Sequence, residues 1–307
     1  MTRPPLSARS SRSAGVTLIE LAITIALIGI LAALIVNFVA PVRSYIDSSR
    51  RAALADTADT ALRRIGRDVR LALPNSVRVD PTGKYVEFLL VRTGGRYRYE
   101  AAASSVSACP TGVGSSVTED VLLFGAADAC FKTIGNTANL SQVQTTDYVV
   151  VYNLPTGTDK ADAYQSSCAP VCNKSLIGTG NEPTALTGED RIQFASNTFT
   201  YESPGRRYFI IEGAVTYGCT GTELLRYSSY GINPLQVAPP TGGGMVTAKL
   251  ATGVDVTNCS FTYDNVAGAA AQGAGLVTLS LRLSMKDSRG DPEFVNLYHT
   301  VHVNNVP

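Results

Sequence analysis

The run from Val16 to Val36 holds 21 residues and a single charge, the carboxylate of Glu20. At about 1.5 Å per residue, such a segment matches a hydrocarbon core of about 30 Å. It reads as a membrane-spanning helix, and whatever follows must fold beside a bilayer. An ionised side chain inside a span costs on the order of a few kcal/mol and tends to mark function. A plain anchor gains nothing from keeping one, so Glu20 is expected to have a partner. Two simpler accounts fit less well. A secretory signal peptide has an apolar core of about 7–15 residues ending at a small-residue cleavage site. This run is longer and lacks that site. An ordinary signal anchor, oriented by Arg3, Arg9 and Arg12 through the positive-inside rule, leaves Glu20 and the string around it unexplained.

That string, Gly15-Val16-Thr17-Leu18-Ile19-Glu20, resembles the class III signal of type IV pilins and type II secretion pseudopilins. The resemblance implies that a prepilin peptidase cuts between Gly15 and Val16 and methylates the new amino terminus at Val16. It also implies that Glu20, fifth in the trimmed chain, pairs with an N-terminal amine inside a filament. Val16 replaces the usual phenylalanine or methionine, and Asn37 stands where many major pilins carry proline; the nearest proline is Pro41. Both departures fit a minor subunit. The division implied is a leader over 1–15, an N-terminal helix over 16–73 with its membrane part at 16–36, and a periplasmic head over 74–307. The partners implied are other major and minor pilins met through the helix, the prepilin peptidase, an inner-membrane assembly platform and the lipid bilayer.

Charge narrows the head's chemistry. Losing residues 1–15 removes three arginines and no acids, which takes the formal charge from +1 to −2. From Leu71 onward there are 16 Lys and Arg against 20 Asp and Glu. Nucleic-acid binding relies on a basic footprint, so no nucleic acid is expected as a partner.

The helical signal continues beyond the apolar run. Ala58, Ala61, Leu62, Ile65, Val69, Ala72 and Leu73 recur at spacings of three and four, the stripe of an amphipathic helix. Arg63, Arg64, Arg67 and Arg70 lie on the other face, where they read as a solvated surface. Asp47 with Arg51 and Asp59 with Arg63 are i,i+4 pairs worth a few tenths of a kcal/mol each. Pro74 closes the pattern, so one helix is expected from Leu18 to Leu73.

Past Pro74 the period changes to two. Tyr85 to Val91 reads as a strand and Arg96 to Tyr99 as its partner, with Gly94-Gly95 supplying positive φ in a turn between them. Asp147 to Tyr152 and Arg207 to Thr216 are further strands. The clearest alternation sets Val277, Leu279, Leu281, Leu283 and Met285 on one face and Thr278, Ser280, Arg282 and Ser284 on the other. Turn residues Ser288 to Pro292 follow, and Glu293 to Val303 returns as the second strand. Strands joined at such short range pair antiparallel. The polar stretches Leu154 to Arg191, Pro239 to Gly244 and Val266 to Gly275 read as connecting loops. The expected class is α+β, a long N-terminal helix packed on a mainly antiparallel β-sheet head.

Six cysteines, Cys109, Cys130, Cys168, Cys172, Cys219 and Cys259, all fall beyond the membrane run. An even count in an exported domain suggests disulfides, with fifteen connectivities open. Pairing sequence neighbours is the simplest scheme: Cys109 with Cys130, Cys168 with Cys172, and Cys219 with Cys259. The first and third would close loops of roughly 20 and 40 residues, worth about 3–4 kcal/mol each. Zinc at Cys168 and Cys172 is the rival, weakened because no second ligand pair sits near them. His299 and His302 stand three apart in the last strand and face opposite ways. His299 shares its face with Leu297 and Val301, so a core histidine holding one hydrogen bond is expected. No nucleophile elbow, phosphate loop or dinucleotide fingerprint is present in the sequence, and the adjacent acid pairs are Glu119-Asp120 and Glu189-Asp190. Neither an enzyme nor a cofactor is expected.

Further strings resemble the MshO-type minor pilins of mannose-sensitive haemagglutinin (MSHA) pilus biogenesis. They are Leu71 to Arg78, Gly94 to Arg98, Val215 to Cys219 with Leu225 to Tyr227, and His299 to Pro307, in the same order along the chain. The resemblance implies a type IV pilin-like fold and a structural role in priming or assembling a pilus. PilW-like pilins and GspJ-like pseudopilins are the alternative relatives. A different class, a pilus-tip adhesin or binding module, would need an exposed apolar or aromatic patch, for which Leu224 to Tyr230 is the best local candidate.

Overall fold

The computed structural model describes residues 15–100, 121–179, 182–184, 189–265 and 273–307. One helix, α1 (Leu18–Arg70), leads into thirteen strands among the described residues. In chain order these are β1 (Arg78–Val79), β2 (Tyr85–Arg96), β3 (Asp128–Lys132), β4 (Tyr148–Val151), β5 (Lys174–Leu176), β6 (Glu182–Thr184) and β7 (Glu189–Asn197). They continue as β8 (Arg207–Thr220), β9 (Glu223–Ser228), β10 (Val246–Thr252), β11 (Ser260–Asn265), β12 (Ala274–Lys286) and β13 (Pro292–Asn304). All named strand pairs are antiparallel. The expected α+β class, an apolar N-terminal helix with a mainly antiparallel head, is the class observed.

Thr17 caps the start of α1, its hydroxyl accepting from the Glu20 amide at 3.3 Å, which satisfies one of the orphan donors of the first turn. The helix ends three residues before the expected Leu73. Proline disfavours helical backbone in the residue before it, and the chain from Leu71 to Leu73 pairs with β2 instead. Leu73 N donates to Leu89 O at 2.8 Å and Val91 N to Leu71 O at 2.9 Å. Arg63 and Asp59 do form their pair, at 2.7 Å. Asp47 and Arg51 do not. Asp47 accepts from Ser288 N at 3.0 Å and Ser288 Oγ at 2.8 Å, and Arg51 pairs with Glu293. The tip of the β12–β13 hairpin offers these side chains fixed partners, which outcompete a flexible pair along the helix.

The largest sheet runs β1-β2-β8-β4-β5. β8 pairs with β2 on one side and shares its other side between β4 and β9, while β10 extends β9. A second sheet is β11-β12-β13 and a third β3-β7-β6. Gly94 and Gly95 do not turn the chain. β2 continues through both, opposite Phe209 and Tyr208 of β8. A Cβ at Gly94 would lie 2.7 Å from Tyr208 O, so glycine serves close approach between backbones there rather than positive φ. The stretch read as a loop from Leu154 to Arg191 contains β5, β6 and the start of β7. Its Ala163 and Tyr164 are buried against the large sheet, and Ala161 is buried as well.

The alternation over β12 holds in space. Val277, Leu279, Leu281 and Leu283 are buried, and with Val301 and Val303 of β13 they meet Ala58, Ala61, Leu62, Ile65 and Val69 of α1. Gly66 sits at the same contact, where an added Cβ would come 2.9 Å from His299 Nε2. His299 is half-buried there, and no described residue hydrogen-bonds to its ring. It abuts the helix backbone instead of lying within a core. His302 is exposed on the other face. A second core joins Tyr97, Phe131, Phe194, Phe199 and Tyr208 between the large sheet and the third. A third holds Leu73, Leu89, Tyr164, Tyr227 and Tyr230. The Leu224–Tyr230 segment, read as a candidate surface patch, therefore supplies core: Leu224, Tyr227 and Tyr230 are all buried.

Candidate assembly site

Gly15, Val16 and Thr17 lie ahead of the first turn of α1 in non-helical backbone. Val16 is 70% exposed, and no atom falls within 4 Å of a Cβ placed on Gly15. Among the described residues nothing obstructs the Gly15–Val16 bond. Glu20 projects from the first turn, exposed, with no cation beside it among the described residues.

The helix around it is equally unsatisfied. No residue of Leu18–Ile35 is buried, and this segment is long and apolar enough to cross a membrane. Its isoleucines and leucines stand more than half exposed. Burying such side chains is worth about 1.5–3 kcal/mol each, so an aqueous surface is the least favourable surrounding for them. Lipid or other helices must cover this face. At about 1.5 Å per residue, α1 is on the order of 80 Å long. Its first third carries the uncovered apolar surface and its last third docks on the head.

Of the cysteines, Cys168 is joined to Cys172 and Cys219 to Cys259. Cys109 lies outside the described residues, so its pairing with Cys130 does too; Cys130 is buried in β3. No described cysteine is free. The two sulfurs weighed as zinc ligands are bonded to each other. Among the described residues no group of three or more His, Cys, Asp or Glu side chains is placed to hold a metal. Cys219–Cys259 ties the large sheet to the start of β11 and so braces the platform on which α1 rests.

The acidic pairs also become structural where they are described. Glu189 pairs with Arg98, and Asp190 is buried and accepts from the Thr137 amide. Glu119-Asp120 lies outside the described residues. Sequence reasoning missed Asp68, which holds the end of α1 to the sheet. It accepts from Tyr217 Oη at 2.5 Å and from Arg226 Nε at 3.0 Å. An acid flanked by Arg67 and Val69, beside the apolar stripe, was the available signal.

Lys174 gives this part of the head a pH signature. Its ammonium donates to Ala163 O at 2.5 Å, and burial lowers its pKa from 10.5 to about 8, with Asp162 opposing the shift. Between those values the unfolded chain binds more protons than the folded one. Lys174 therefore contributes stability above pH 10.5 that is lost as pH falls through about 8. Buried tyrosines titrate nearby, so the measurement is a difference. The urea midpoint of the native chain minus that of Lys174→Met should rise from pH 7.5 to about 10. A flat difference would place Lys174 in water.

Residues 10–36 match the family described as the prokaryotic N-terminal methylation motif. The match spans the apolar part of α1 and the residues leading into it, and leaves the head outside. No curated protein and no solved structure matches the chain. A methylation motif of the prepilin type at the start of a long apolar helix, with an antiparallel head behind it, supports a type IV pilin-like protein.

Proposed function

We propose that this chain is a minor pilin, an assembly subunit with no catalytic role of its own. It enters the inner membrane once, with residues 16–36 spanning and the head in the periplasm. A prepilin peptidase then removes residues 1–15 and methylates Val16. Through α1 the trimmed chain joins other pilins above an inner-membrane platform, where it helps prime or build an MSHA-like pilus. The observation that carries this reading is the pairing of an uncovered apolar helix with an uncompensated Glu20 in its first turn. Apolar stripes alone let parallel helices slide past one another. A carboxylate that must find an amine in an apolar bundle sets their axial register, because leaving it unpaired costs on the order of several kcal/mol.

The alternative of a tip-binding module loses its local support with Leu224, Tyr227 and Tyr230 inside the core. A secretion pseudopilin would share every feature of α1. Glu20→Ala is expected to leave insertion, trimming and the head's disulfides intact while the chain fails to enter filaments. Shearing and immunoblotting count the pili, and binding assays report adhesion per pilus. Fewer pili with unchanged binding per pilus supports assembly; normal numbers of pili that no longer adhere would sink it.

A further inference from the structure

A cavity of about 530 Å³ opens where the distal end of α1 meets the large sheet. Three arginines line it, each from a different element: Arg70 ends α1, Arg96 ends β2 and Arg207 begins β8. Arg96 and Arg207 are direct cross-strand partners. Like charges directly opposite one another destabilise an antiparallel pair, so this arrangement is costly unless something neutralises it. Arg207 Nη1 reaches only the carbonyl of Val306, at 3.4 Å, and no described carboxylate pairs with any of the three.

Arg78, Arg92, Arg98 and Arg226 are each matched by a carboxylate. Arg70 alone could be ascribed to the helix C-terminus, whose partial negative charge favours a cation. Arg96 and Arg207 sit on strands and have no such reason. The remaining walls, among them Leu71, Val91 and Phe209, are mostly apolar or aromatic, with Asn304 adding one amide side chain.

We propose that this cavity binds a small organic oxyanion carried on a compact, partly apolar body, a sugar acid being the simplest case. Guanidinium groups recognise carboxylates through paired N–H donors, and the volume falls within the range of about 300–1,000 Å³ usual for small-ligand sites. The location suits an external ligand. Arg70 lies on the order of 50 Å beyond Ile35 along the helix, well clear of the membrane span. The assignment goes beyond the assembly reading and does not rest on it.

The test is isothermal titration of the full-length chain in detergent micelles with three probes: trigalacturonate, neutral galactotriose and inorganic phosphate. Trigalacturonate is expected to bind, more weakly as salt is raised, and galactotriose not to. Arg96→Ala and Arg207→Ala should each weaken binding by about tenfold or more. Relief of the like-charge pair should meanwhile leave the thermal midpoint of the free protein unchanged or higher, which separates lost contacts from lost fold. No binding of trigalacturonate, or binding unaltered in both variants, would overturn the site. Phosphate binding as tightly as the sugar acid would overturn the organic body.

Discussion

Gly15→Val is expected to leave the chain at full length in the membrane, with Met1 still attached and Val16 unmethylated. The reasoning is steric. A peptidase working at the Gly15–Val16 bond must bring its catalytic groups against backbone, and glycine is the residue that lets another group approach most closely. Among the described residues nothing stands in the way, since beyond its chain neighbours none has an atom within 4 Å of a Cβ at Gly15. Intact mass of the membrane-extracted protein, from a strain with an active prepilin peptidase, reads the result directly. The native chain should begin at N-methyl-Val16, and the variant should gain the mass of the leader and lose the methyl group. A native chain found still carrying Met1 would remove the basis for the proposed processing. The head is not expected to respond, because its folding depends on surfaces far from Gly15.

The second large effect concerns stability. Glu87 is buried in β2, its side chain 2% exposed, and Arg78 meets it at 2.6 Å. The same guanidinium lies 3.6 Å from the centre of the Tyr164 ring and donates to the carbonyls of Asn233 and Pro234 at 2.8 Å each. Burial pushes the Glu87 carboxyl above its ordinary pKa, and Arg78 is the largest influence holding it down. Arg78→Met leaves that carboxylate without its partner, which should cost about 3–5 kcal/mol in urea denaturation. The pH dependence has a definite sign. A carboxyl whose folded pKa is raised contributes stability below its unfolded value of 4.5 that disappears as pH climbs through the folded value. The variant's deficit should therefore be smallest in mild acid and largest near neutrality. Replacing both partners, Arg78→Met with Glu87→Leu, should recover most of the loss, since an apolar pair of similar volume often matches a buried ion pair. Should the double variant prove as unstable as the single one, the cost would lie in lost packing on Tyr164.

How much of this was legible in the residues follows the range of the forces involved. The string from Gly15 to Glu20 is linear and could be read without a fold. The 21-residue apolar run and the stripe from Ala58 to Val69 could be read because helical periodicity is a local property. The alternation from Val277 to Leu283 was equally plain, because one side of β12 is covered by a helix and the other is not. In each case the relevant neighbours lie within about two turns or a few strand residues of one another.

Register across long separations obeyed no such local code. Gly94-Gly95 carries the composition of a hairpin turn, yet β2 runs through it because β8, more than a hundred residues later, demands a close backbone there. Asp47 and Arg51 have the spacing of a helical pair and were diverted by a hairpin tip some 240 residues away. Tyr227 and Tyr230 look the same in sequence whether they pave a surface or fill a core; packing chose the core. Arg96 and Arg207 become opposed only once β2 and β8 pair. The sequence alone thus determined the apolar N-terminal helix, its methylation motif and the class of the head, all carried by contiguous residues. The tertiary structure decided which distant charges meet partners and which are left facing one another, because electrostatic pairing depends on distance in space and local spacing fixes it only for neighbours on one helix such as Asp59 and Arg63.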